Sequence, residues 1–179
     1  YFYRFNTRKK PLDDIRVRQA LTLAINQRAI VRRITKGGQS PATGYTPPGI
    51  SGYKAPELVN YNPRDARNLL AEAGFPGGEG FPKLTLIYNT SEAHRDIAIA
   101  IQQMWKSILG IDIDLRNQEW KVFLDTVQQG DYDIARAGWI GDYMYPDTFL
   151  FMWTTGNGNN ETGWSNPEYD KLISDSYLE

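Results

Sequence analysis

Apolar residues recur along this chain with two alternating periods. Tyr1 to Asn6 is dense in aromatic residues and reads as a strand. From about Asp14 the spacing lengthens. Val17, Ala20, Leu21 and Ala24 fall at helical intervals and give one apolar face. Asn26 is suited to cap a second helix carrying Ile30, Val31 and Ile34, which Gly37 and Gly38 end. Residues 38 to 61 carry Gly, Pro, Ser and Tyr, including YTPPGISGY, and read as a long structured loop. Asn62 then caps a helix with Pro63 at its first position. Its stripe is Ala66, Leu69, Leu70 and Ala73, and Gly74 stops it. FPGGEGFP has the composition of the most flexible loop in the chain.

The second half is more regular. Leu84, Leu86 and Tyr88 alternate on a strand, and Ile97, Ile101, Met104 and Ile108 line a long helix that Gly110 closes. Ile111, Ile113 and Leu115 alternate on a further strand. Trp120, Phe123, Leu124 and Val127 mark a helix ended by Gly130, and Tyr132 to Gly138 forms another strand. Helices follow near Thr148 to Trp153 and from Pro167. This β-α-β-α-β order predicts an α/β fold with a mixed, mostly parallel sheet and flanking helices.

Composition narrows the function classes. With 179 residues and 41% hydrophobic content, the chain suits one α/β domain over 1–179 with a real core. A net charge of -1 gives no argument for nucleic acid or an anionic membrane surface. There are no cysteines, so thiolate metal sites, thiol nucleophiles and disulfides are excluded. Every apolar stretch is broken by charge well short of the ~18 residues of a membrane span. Both ends read as cut from a longer protein. Tyr1 opens on YFYRF without methionine or a basic leader, and PEYDKLISDSYLE reads as a helix that stops without a cap.

Ligands of open α/β sheets bind beyond the carboxyl ends of the strands. NTSEAH, NQEW and AGWIGDY follow three predicted strand ends. If those strands are parallel, His94, Trp120, Trp139 and Asp142 converge on one edge. That mix of an anion, a cation and large aromatic surfaces suits a zwitterionic organic ligand better than a metal or phosphate. Each residue also has a plainer reading. Asp142 lies in a Gly-Asp-Tyr turn that favours local hydrogen bonds. His94 falls in the first turn of a helix, where a surface histidine is solvated. Trp120 begins an amphipathic helix and fits a core position. Arg136 alternates with Ile134 and Tyr132 and has Asp133 as a possible partner. Enzyme readings find less. One histidine rules out a histidine-rich metal site, and GxSxG, GxxxxGK[ST] and GxGxxG are all absent. Asp131, Asp133 and Asp142 lack an evident shield from water to raise a carboxyl pKa.

The segments PLDDIRVRQALTLAIN, YTPPG, NLLAEAGF, LTLIYNTSEAHRDIAIAIQQMWK and GIDIDLRNQEWKVFLDTVQQGDYDIARAGWIGDYMYPDTFL carry a resemblance. In that order, across nearly the whole chain, they resemble the C-terminal lobe of the oligopeptide-binding proteins. That group lies within the extracellular solute-binding family of dipeptide, murein-peptide and nickel binders. The resemblance implies one lobe of a type II periplasmic-binding-protein clamp, with the N-terminal lobe outside this chain. It implies a non-enzymatic receptor without cofactor or metal, which delivers an oligopeptide to the transmembrane subunits of an ABC permease. It also implies a monomer, periplasmic or extracytoplasmic and lipid-anchored, that touches a membrane only through the permease or an anchor outside this segment. In such proteins an aspartate at the position of Asp142 binds the peptide ammonium. Cations at the positions of Arg136 and His94 receive the terminal carboxylate, according to peptide length. Trp120 and Trp139 resemble aromatics that line side-chain pockets. Relatives can carry a basic residue where this chain has Val127, a departure that assigns no carboxylate contact there. Alternatives within the family are a dipeptide, murein peptide, signalling peptide or nickel–chelate ligand. Outside it stand the sensing domain of a regulator and a peptidase.

Overall fold

The computed structural model describes residues 1–50 and 52–178. Ser51, within the predicted 38–61 loop, and Glu179, at the end of the last predicted helical segment, lie outside the described residues. Four strands form one sheet: β1 (Phe2–Phe5), β2 (Leu84–Asn89), β3 (Ile113–Gln118) and β4 (Ile134–Ala137), in the order β1-β4-β2-β3. β2 pairs in parallel with both β3 and β4, and β1 closes the β4 edge antiparallel. The sheet is thus mixed and mostly parallel, as the alternation of patterns predicts.

The helices are α1 (Ile15–Leu23), α2 (Gln27–Ile30), α3 (Pro63–Glu72), α4 (Glu92–Leu109), α5 (Trp120–Gln128), α6 (Asp147–Leu150) and α7 (Pro167–Asp175). Side-chain caps start most of the longer ones. Asn62 Oδ1 accepts the Asp65 N–H at 3.2 Å with Pro63 at the first position of α3. Asn166 accepts the Glu168 N–H at 2.9 Å before α7. Glu119 accepts the Lys121 N–H at 2.8 Å before α5. Each satisfies a donor that a helix leaves without an internal partner.

Strand alternation divides the core in two. Leu84, Leu86, Tyr88 and Ile134 face a large cluster built with Val17 and Leu21 of α1, Leu70 of α3, and Ile97, Ile101 and Trp105 of α4. Ile87 and Ala135 point the other way, to Phe123, Val127 and Tyr132. α4 and α5 therefore cover opposite faces. Order β4-β2-β3 demands this: one crossover steps from β2 to β3 and the next returns past β2 to β4, so equal handedness needs opposite faces.

Several expectations change in detail. The second helix is one short α segment followed by a π-turn over Val31–Thr35. Lys36, with φ 50°, takes the left-handed position at its end, ahead of the expected glycines. Leu124 is 44% exposed, so the buried line of α5 is only Phe123 and Val127, one turn apart. FPGGEGFP is packed rather than loose. Phe75 and Phe81 meet edge to face at 5.1 Å, and the Gly78 backbone lies against Gly110 at the end of α4. A Cβ on Gly78 would sit 2.7 Å from the Gly110 carbonyl, so glycine is required there for contact as well as for φ.

Trp105 joins the helical layer. Its ring is fully buried and its Nε1–H donates to the Leu21 carbonyl at 2.8 Å, tying α4 to α1. Replacing it leaves both a cavity and a buried carbonyl without its donor. Trp105→Ala is expected to lower unfolding stability by about 3–5 kcal/mol in urea denaturation. Ile99→Ala, on the exposed side of the same helix, should stay within about 0.5 kcal/mol. Equal losses for the two variants would contradict this packing.

Candidate functional site

Parallel pairing brings Asn89, Gln118 and Ala137, the last residues of β2, β3 and β4, to one edge of the sheet. The chain leaves β2 towards one face and β3 towards the other, which opens a crevice above their ends. The two exits are tied together: the Thr90 N–H donates to the Gln118 carbonyl at 3.0 Å and its hydroxyl to Asn117 Oδ1 at 2.7 Å. Because β1 runs antiparallel to β4, its beginning arrives at this same edge, with Phe2 opposite Ala137 and Tyr3 opposite Arg136.

One half of the site is cationic and aromatic. The Tyr1 hydroxyl lies 3.3 Å from His94 Nδ1 and 3.4 Å from the Tyr3 hydroxyl. The Arg136 guanidinium sits over the Tyr1 ring, 4.9 Å from its centroid, within cation–π range. Arg136 Nη1 donates to Asn89 Oδ1 at 3.3 Å, while its Nε is buried without a hydrogen-bond partner. Asp133 is not the partner of Arg136. It pairs with Lys9 at 3.2 Å and accepts the Thr85 N–H at 2.9 Å. Arg136 is therefore held by a neutral amide and a ring face, with its charge uncancelled by a carboxylate. Burial, and secondarily the Arg136 charge, lower the His94 pKa below 6.5. Burial also raises both phenols, Tyr3 well above the usual range.

The other half is organised by Thr148, a buried residue at the second position of α6. Its carbonyl accepts the Trp139 Nε1–H at 2.7 Å, and its hydroxyl accepts the Asp142 N–H at 3.0 Å. This fixes the Trp139 ring and the turn that presents Asp142, whose side chain is exposed. None of the ion pairs among the described residues includes Asp142. A hollow of about 520 Å³ lies beside Trp139, with walls that include Tyr1, Phe2, Tyr45, Tyr53 and Phe149. A larger one, about 710 Å³, lies between α1 and α3 at the far end of β1 and contains none of the predicted site residues. The smaller hollow is the better candidate, because the carboxyl edge supplies its wall.

The structure thus joins His94 to Arg136 through Tyr1, and Trp139 to Asp142 through Thr148. Tyr1 belongs to both groups, since it also lines the hollow. Trp120 stands apart: it is 49% exposed at the start of α5 and stacks on Phe123 at 6.0 Å, so it is not a core residue. Val127 is buried in the smaller core cluster and cannot face a ligand. Tyr1, Tyr3, Asn89 and Thr148 were not singled out from the sequence. The one available signal was the i, i+2 spacing of Tyr1 and Tyr3, which places both on one face of a strand. Among the described residues there is no group of three or more His, Asp or Glu side chains placed to hold a metal ion. Among the described residues no helix is long and apolar enough to cross a membrane.

Residues 1–161 match the family described as bacterial extracellular solute-binding proteins, family 5 Middle. The oligopeptide-binding protein OppA of Bacillus subtilis is 41% identical over the whole chain, which spans 34% of that relative. A crystal structure of a periplasmic oligopeptide-binding protein, OppAIV of Borrelia burgdorferi, superimposes with a TM-score of 0.92 at 39% identity, covering 98% of this chain and 35% of that one. OppA of Haemophilus influenzae, solved in complex with the peptide RPPGFSPFR, gives a TM-score of 0.91 at 35% identity over 99% of this chain and 36% of that one. The chain spans about a third of the length of these relatives.

His94 is the single histidine, so its titration is read without assignment. Its lowered pKa means that the unfolded state binds the proton more readily. The resulting stability is fully present above pH 6.5 and is lost as pH falls through the folded-state value. NMR titration of the ligand-free protein should give a midpoint below 6.5, and Arg136→Gln should raise it. A midpoint at or above 6.5 would contradict the described environment.

Proposed function

We propose that this chain, which belongs to the bacterial extracellular solute-binding proteins of family 5, forms one wall of a receptor that encloses short peptides and delivers them to an ABC permease. The observation that carries this reading is the division of charge along one sheet edge. Arg136 and His94 offer cationic and donor groups to a carboxylate, and Asp142 offers an anion to an ammonium. Trp139 and the hollow beside it supply an aromatic surface for side chains, and Trp120, exposed at the start of α5, offers a separate aromatic face at the same sheet edge. A free peptide is a zwitterion with the same division. Its backbone can be held by main-chain bonds that do not read sequence, while roomy, hydrated pockets accept varied side chains.

A peptidase needs a nucleophile held against a base. The one hydrogen bond of His94 among the described residues is to Tyr1, whose phenol is pushed away from ionisation by burial. The reading is therefore a binder and not an enzyme, working as an extracytoplasmic monomer, either free in the periplasm or lipid-anchored. Asp142 is exposed in this chain, and an exposed ion pair contributes only about 0–1 kcal/mol. A second lobe that closes over the peptide would exclude water and make each charge count.

In the full-length protein, Asp142→Asn should leave an enclosed peptide ammonium without its counter-charge. Losing one partner of a buried pair costs about 3–5 kcal/mol, so affinity should fall by roughly a hundredfold or more. N-acetylated peptides should bind the wild type poorly for the same reason. Calorimetry that finds equal affinity for acetylated and free peptides would overturn the Asp142 assignment.

A further inference from the structure

We propose that Tyr1 is the positioning residue of the carboxylate subsite, its hydroxyl fixing the tautomer of His94 and its ring aiming Arg136. This rests on the peptide-binding reading above and names the group through which the two cationic residues act together.

Three contacts converge on Tyr1. Its hydroxyl stands between the Tyr3 hydroxyl at 3.4 Å and His94 Nδ1 at 3.3 Å. Its ring meets the His94 ring at 5.5 Å between centroids, and its face lies under the Arg136 guanidinium at 4.9 Å. Among the described residues, the Arg136 guanidinium donates to Asn89 Oδ1, and its buried Nε has no hydrogen-bond partner. A buried guanidinium N–H that no protein atom satisfies costs free energy unless a ligand or water accepts it. A guanidinium over a ring keeps its in-plane N–H fork free, the geometry that matches a carboxylate. The ring thus holds the cation in place without neutralising it, whereas an acidic neighbour would compete with the ligand.

The hydroxyl does the complementary work on His94. Neutral imidazole has one donor and one acceptor nitrogen, and the partner of one fixes the role of the other. In the proposed arrangement Tyr3 donates to Tyr1 and Tyr1 donates to Nδ1, which leaves the proton of the ring on Nε2. A neutral His94 then still presents a donor, and it becomes a cation when an approaching carboxylate favours protonation. Tyr1 is supplied to this edge because β1 runs antiparallel to β4, so a strand otherwise remote in sequence from His94 delivers the residue that orients it.

The test uses the full-length protein, with Tyr1→Phe to remove the hydroxyl and Tyr1→Leu to remove the ring as well. The ligand-free ring is read by ¹⁵N NMR at a pH where His94 is neutral. The wild type should show mainly the Nε2–H form, and Tyr1→Phe a mixture. Calorimetry with alanine peptides of increasing length and their C-terminal amides gives the second readout. Tyr1→Phe should reduce the preference for free carboxylate over amide by about threefold to tenfold at lengths that reach His94. Tyr1→Leu should reduce it at lengths that reach Arg136 too. An unchanged tautomer ratio and an unchanged preference in Tyr1→Phe would overturn the role of Tyr1 while leaving the peptide receptor intact. A wild type that does not distinguish acids from amides would count against the receptor reading itself, and the ligand-free tautomer measurement would still decide on Tyr1.

Discussion

Parallel pairing of β2 with both of its neighbours sends three strand ends out through the same edge of the sheet, and the candidate site is built on that edge. β2 is buried on both faces, with Leu84, Leu86 and Tyr88 on one side and Ile87 on the other, so its register cannot slip without exposing apolar side chains. With β2 fixed, Asn89 is fixed, and through it the Arg136 side chain of the next strand. The helices that follow β2 and β3 start at the same edge, which places His94 on one side of the crevice and Trp120 on the other.

Much of this is legible in the chain. The asparagine caps before α2 and α3, the prolines that open α3 and α7, and the alternating strands predict most element types and the order of the fold. The expected convergence of His94, Trp120, Trp139 and Asp142 follows from the single assumption of parallel strands; contacts run through Tyr1 at His94 and through Thr148 at Trp139 and Asp142, while Trp120 stands apart. The remainder depends on tertiary contacts that leave no periodic trace. A short aromatic strand does not reveal its direction, so nothing local shows that β1 is antiparallel and that Tyr1 reaches His94. Thr148 serves the site through one backbone carbonyl and one hydroxyl, a role that many threonines could fill. The glycines of FPGGEGFP suggest freedom, yet two backbones in contact need glycine just as much. Leu124 shows the opposite failure. Helical spacing predicts its burial, but the packed line of α5 is narrower than its apolar stripe.

The chemistry of the edge suits the proposed wall of a two-lobed receptor. Its carboxylate-facing groups are poised, with Arg136 held by a ring and an amide and the His94 pKa lowered by burial. Its anion, Asp142, is exposed. Such groups discriminate weakly in water and strongly once water is excluded, because the effective dielectric falls. A chain covering about a third of its relatives' length is consistent with one wall of such a site, completed by a second lobe.

The central claim is that this edge receives a zwitterionic peptide. Mass spectrometry of whatever is released from the full-length protein, purified without denaturation, tests it most directly. The expected result is a mixture of short peptides with free ends and varied side chains. A single non-peptide solute, recovered in stoichiometric amount, would contradict it.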